Sequence, residues 1–188
     1  MKNLILLTFF LIFTFTTANA AELKIEPVYS VETTQRQLPK PAKTVVNNYL
    51  GIRALYGVPL ISAELEVAQA FRTERFNDTG EKVDYTTQRA MLGIRSYPIK
   101  SQYVGIYFRA GARARKEIRE TTASDGTTEK DESDIQFDPY AGAGFTLAFG
   151  STFALNAGAT LVYNKEADSS QQYDAVYTFG FTFKAGNR

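Results

Sequence analysis

Residues 138–164 read D-P-Y-A-G-A-G-F-T-L-A-F-G-S-T-F-A-L-N-A-G-A-T-L-V-Y-N, and the alternation within them decides the fold. Before the turn Phe149–Gly150–Ser151, one face carries Ala141, Ala143, Phe145, Leu147 and Phe149; the other carries Tyr140, Gly142, Gly144, Thr146 and Ala148. After it, Phe153, Leu155, Ala157, Ala159, Leu161 and Tyr163 oppose Thr152, Ala154, Asn156, Gly158 and Thr160. A period of two with the bulky apolar side chains on one side is a strand pattern, so the stretch reads as a hairpin. Its second face is polar and unusually rich in glycine.

The alternation continues in both directions. It predicts strands at 23–34, 44–57, 60–72, 85–97 and 101–115, and a closing strand from Tyr173 to Phe183. Pro27 weakens the first of these, because proline removes a ladder donor. Short connections at 58–59, 98–100 and 149–151 alternate with long ones at 73–84, 116–134 and 165–172. Transmembrane barrels combine short periplasmic turns with long external loops in this way. If the short turns are periplasmic, the strand at 44–57 descends and another must climb before it. Only 23–34 is available, which makes the count eight. No helical period follows residue 20.

Composition narrows the class further. Lys2, the apolar run Leu4–Thr16 and the small residues Ala18-Asn19-Ala20 form an export signal, with cleavage expected after Ala20. The run is too short for a spanning helix. The chain holds 21 basic and 20 acidic residues, and removing Lys2 leaves 20 against 20. A neutral chain is not a polycation built for nucleic acid. There is no cysteine and no histidine, which removes disulfides, thiolate chemistry and the usual soft metal ligands; no cofactor is expected.

Alternation alone does not say whether the apolar face meets a core or lipid. Glycine decides. Gly51, Gly93, Gly105, Gly111, Gly142, Gly144, Gly158 and Gly180 all fall on the polar face of their strands. Glycine weakens a water-exposed strand and brings it nothing. The lumen of an eight-stranded barrel, just wide enough for side chains, requires it. The opposite face carries no charge, and a lysine or arginine at the bilayer midplane would cost roughly 2–4 kcal/mol there. The apolar face is therefore expected to meet lipid. Tyr56, Phe149 and Phe153 near the short turns, and Phe71, Tyr163 and Tyr173 near the long loops, would form the interfacial girdles.

The pattern over the mature chain resembles the small eight-stranded outer-membrane barrels of the OmpA/OmpX type. The most specific element is Tyr177-x-Phe179-x-Phe181-x-Phe183, similar to the aromatic signal read by the barrel-assembly machinery; that family usually stops at the last aromatic, whereas Lys184–Arg188 continue here. The resemblance implies an all-β, eight-stranded antiparallel up-and-down transmembrane β-barrel over residues 21–188, without a peptidoglycan-binding domain. It also implies residence in the outer membrane, contact with its lipid and lipopolysaccharide, and a monomeric state.

One constellation carries charge into the lumen. Counting from a turn at Val58-Pro59 sets Arg53 opposite Glu64; pairing Tyr97 with Ser101 sets Arg89 opposite Arg109. Two arginines cannot share a dry layer without carboxylates, so the expected network is Arg53, Glu64, Glu66, Arg89, Arg95 and Arg109. It either fills the lumen or gates a narrow passive channel. Serines such as Ser62 and Ser101 have no histidine to activate them, and a carboxylate pair held by arginine stays ionised, so no enzyme is expected. The acidic run at 116–134 reads as a solvated external loop. The expected role is structural or surface-interactive through the external loops; the alternatives are a narrow solute channel and a secreted, soluble lipocalin-like barrel.

Overall fold

The computed structural model describes residues 21–38, 43–76, 78, 80–150, 153–165, 167 and 172–184. The expected export signal, residues 1–20, and the tail 185–188 lie outside the described residues. The strands are β1 (Glu22–Gln35), β2 (Thr44–Val58), β3 (Ile61–Phe76), β4 (Glu81–Lys100), β5 (Val104–Thr122), β6 (Thr128–Glu132), β7 (Gln136–Phe149), β8 (Phe153–Tyr163) and β9 (Tyr173–Lys184). Eight of them close a ring in the order β1-β2-β3-β4-β5-β7-β8-β9, with β9 returning to β1; every pairing is antiparallel. This is the eight-stranded up-and-down barrel, and closure leaves its membrane-spanning part without a free edge.

Side chains sort as the glycine argument requires. Leu50 is 71% exposed, Leu92 64% and Phe179 56%, all on the outer wall. Arg53, Glu66, Arg95 and Arg113 are completely buried inside. A water-soluble carrier would show the reverse. Lumen glycines make room for tyrosines crossing the interior: a Cβ on Gly144 or Gly158 would collide with the Tyr107 ring, and one on Gly93 with the Tyr140 hydroxyl.

Three local expectations are corrected. The first turn is at Pro59–Leu60 rather than Val58-Pro59, since Val58 pairs with Ile61; Arg53 therefore faces Glu66, and Leu55 faces Glu64. β4 does not turn at 98–100. It continues to Lys100 through an irregularity between Ser96 and Ile99, which places Arg109 opposite Arg95 and Arg89 opposite Arg115. A bulge inserts unpaired residues and shifts all downstream partners. Finally, much of 73–84 and 116–134 is strand rather than loop. β3 and β4 pair up to Phe76 and Glu81, and β5 pairs with β6 from Ile118/Glu132 to Thr122/Thr128. Beyond Tyr49/Ala70 β3 no longer pairs with β2, and beyond Arg115/Gln136 β5 no longer pairs with β7, so the upper parts of β3, β4 and β5, with β6, form a sheet that leaves the ring. Polar cross-strand contacts hold it: Thr73 to Asp84 at 2.5 Å, Lys116 to Glu132 at 2.5 Å and Arg119 to Asp131 at 3.2 Å.

Candidate functional site

Every inward strand position faces the same narrow interior, so inward charges on non-adjacent strands meet. Toward the short-turn end of the barrel, Glu26 of β1 accepts from Arg53 at 3.1 Å and lies 3.5 Å from Arg95. Glu64 sits between Arg95, at 2.8 Å, and Arg109, with which it also forms an ion pair. Glu66 ties this layer to the next. It accepts from Arg53 Nε at 2.9 Å and from Arg89 at 2.6 Å, and lies 3.6 Å from Arg109. Above it, Glu32 holds Arg89 at 2.8 Å and Arg113 at 2.5 Å. Arg113 reaches on to Asp138 at 2.6 Å and Asp174 at 2.8 Å.

The six residues expected from sequence all lie in this one network. Six others were not singled out: Glu26, Glu32, Arg113, Arg115, Asp138 and Asp174. Face parity alone could have found them, because each alternates onto the lumen side of its strand. Together, Arg53, Arg89, Arg95, Arg109, Arg113 and Arg115 balance Glu26, Glu32, Glu64, Glu66, Asp138 and Asp174 one for one. Buried charges persist only when paired and hydrogen-bonded, and this set is neutral overall.

Tyrosines complete the packing. Arg89 stacks over Tyr49 at 4.2 Å, Arg95 over Tyr107 at 4.4 Å and Arg109 over Tyr140 at 5.0 Å. A planar guanidinium can stack on a ring while its edge donates to carboxylates, which lysine cannot do. The arrangement locks strands across the barrel, with each of the six carboxylates in at least one ion pair. Among the described residues no cluster of acids, histidines or cysteines is arranged to hold a metal ion.

The outer mouth is built differently. Arg36 and Arg72 flank the Tyr85 ring at 5.4 and 4.4 Å. Gln37 crosses from the end of β1 to β5, its N–H donating to Glu117 at 2.8 Å and its amide nitrogen to Gln136 at 2.8 Å. Burial raises the Glu117 carboxyl above its ordinary range. On the protruding sheet, bonds from Lys116 and Lys130 hold Glu132 down to about 2. The assembly-signal candidates Tyr177, Phe179, Phe181 and Phe183 line the outer wall of β9, each exposed to the lipid side.

Residues 41–186 match the family described as outer membrane protein beta-barrel domain. No protein of curated function matches by sequence. The chain is similar in fold to Ail, the attachment invasion locus protein of Yersinia pestis solved with the heparin analogue sucrose octasulfate. Identity is 13%, coverage 87% of this chain and 96% of that one, TM-score 0.56. Neisserial surface protein A gives 13% identity, coverage of 87% and 96% and a TM-score of 0.54. CarO of Acinetobacter baumannii gives 14%, 85%, 96% and 0.53. At these identities the likeness shows the fold.

Proposed function

This chain belongs to the outer-membrane β-barrel family, and from that premise we propose a closed, non-conducting barrel that displays the β3–β6 sheet for contact at the cell surface. The supporting observation is the lumen itself. Its arginines are all paired with carboxylates and at most 4% exposed, leaving no path for a solute without breaking several buried ion pairs. The cavity at the periplasmic mouth, lined by Lys24, Tyr97, Thr146 and Thr182 among others, holds only about 70 Å³. The exposed sheet, by contrast, extends well past the ring and carries both signs of charge.

Export through the signal at 1–20, insertion by the barrel-assembly machinery through Tyr177, Phe179, Phe181 and Phe183, contact with lipopolysaccharide and a monomeric state belong to the same proposal. No catalytic role is assigned. A second reading, a narrow hydrated channel, has one observation in its favour: the buried Nε groups of Arg89, Arg109, Arg113 and Arg115 have no protein acceptor. Planar-bilayer recording separates the two. The closed barrel gives no discrete openings, and Glu64→Ala creates them by freeing Arg95 and Arg109; openings in wild type that Glu64→Ala enlarges support the channel. Deleting 123–127 and β6, with surface binding scored against a sulfated polysaccharide as first probe, tests the display role.

A further inference from the structure

The seam between the first and last strands has one interruption. The β1–β9 register is continuous, with Ile25 opposite Phe183 and Val28 opposite Gly180, but Glu26/Thr182 and Pro27/Phe181 are missing from the ladder. The cause is chemical. Pro27 occupies the place whose N–H would donate to the Phe181 carbonyl, and proline has none. Toward β2 the same residue costs nothing, since Pro27 still pairs with Ile52. An interrupted ladder inside the apolar band is expensive, because no water is available to replace the bond.

Directly opposite the gap, on the lumen side, the side chains make the bond that the backbone cannot. Thr182 Oγ1 donates to Glu26 Oε1 at 2.7 Å. Asn156 Nδ2, from β8, donates to Thr182 Oγ1 at 2.6 Å and to Glu26 Oε1 at 3.1 Å. The other carboxylate oxygen of Glu26 accepts from Arg53 of β2 at 3.1 Å. Glu26 thus ties β1 to both strands beyond the seam and to its neighbour on the near side. Glu26 and Thr182 are both almost wholly buried, so these bonds are shielded from water.

We propose that Glu26 and Thr182 form a side-chain latch that closes the barrel seam where Pro27 leaves the main-chain ladder open. The seam is then the place where the barrel opens first, and the latch forms last, once β1 and β9 meet. Opening is controlled by a replaceable side-chain bond rather than by the ladder.

The test is a two-by-two comparison of wild type, Thr182→Val, Pro27→Ala and the double variant, each folded into lipid bilayers. Backbone amide exchange is followed along Val28–Val31 and Phe179–Phe183 and referred to the β4–β5 ladder. Thr182→Val speeds seam exchange about tenfold, as expected for losing a bond to a charged acceptor, and leaves β4–β5 unchanged. Pro27→Ala restores the missing donor, so the double variant exchanges within about twofold of Pro27→Ala alone. If Thr182→Val fails to fold, recovery in the double variant supports the latch and continued failure overturns it. Equal acceleration by Thr182→Val with and without Pro27 overturns it as well, as does acceleration spread evenly over all ladders.

Discussion

Replacing Glu66 with alanine is the most demanding perturbation of the lumen. Its two oxygens serve Arg53 at 2.5 and 2.9 Å and Arg89 at 2.6 Å, with Arg109 at 3.6 Å. A single pair near 2.9 Å is worth about 6 kcal/mol at an effective dielectric constant of about 20. Removing the carboxylate also abolishes its own desolvation cost, so the net loss is smaller. Breaking a buried pair costs about 3–5 kcal/mol, because the surviving cations are left uncompensated. Glu66→Ala leaves a net positive lumen with Arg53 still on Glu26 and Arg89 still on Glu32, which places the expected loss in that range rather than at the sum of its contacts. The assay is urea unfolding in lipid vesicles, followed by far-UV circular dichroism and by the heat-modifiable shift on gels. Glu66→Gln, which keeps an acceptor but no charge, loses less. Glu132→Ala, on the solvated sheet, produces no measurable change. A Glu66→Ala cost below about 1 kcal/mol, the value of an exposed pair, refutes a dry lumen.

Two further outcomes are expected. Gly158→Ala drives a methyl group against the Tyr107 hydroxyl and destabilises by about 1–3 kcal/mol, as overpacking does; Tyr107→Leu restores most of the loss, whereas equal losses in both backgrounds speak against the collision. At the outer mouth, the raised Glu117 carboxyl means that the folded state holds a proton more tightly than the unfolded state. That contribution is fully present below the unfolded value, near 4.5, and fades as pH rises through the folded one. The urea stability of wild type relative to Glu117→Gln therefore rises as pH falls from neutrality toward 4.5; a Glu117 carbon titration at or below 4.5 contradicts this.

How much was legible in the sequence follows from which features are local. Face parity is local, so alternating residues and lumen-side glycines are enough to say which face meets lipid, and the alternation of short and long connections adds the count and direction of the eight ring strands. Register is not local. It depends on the turn residues and on the bulge near Pro98: placing the first turn one residue early, at Val58-Pro59, shifts the partner of Arg53 by two, from Glu66 to Glu64. Contacts across the lumen are less accessible still: Arg89 meets Glu32, and Arg113 meets both Glu32 and Asp174, only after the ring has closed. The protruding sheet escaped notice because its strands are polar on both faces beyond the membrane. There the signal for a strand is cross-strand charge pairing, which appears only once the register is known.

The absence of cysteine makes the central claim, apolar side chains outward and ionic ones inward, directly measurable. Single cysteines at Leu92, Phe145 and Phe179, and at Ile135 near the outer rim, take a small fluorophore in vesicles containing lipids with a quencher at known acyl depth. Lipid-borne quenching strongest with deep quenchers at 92, 145 and 179, shallow at 135, and no response to aqueous iodide at the first three is the predicted result. Quenching of positions 92, 145 and 179 by iodide, with none from the lipid, contradicts it.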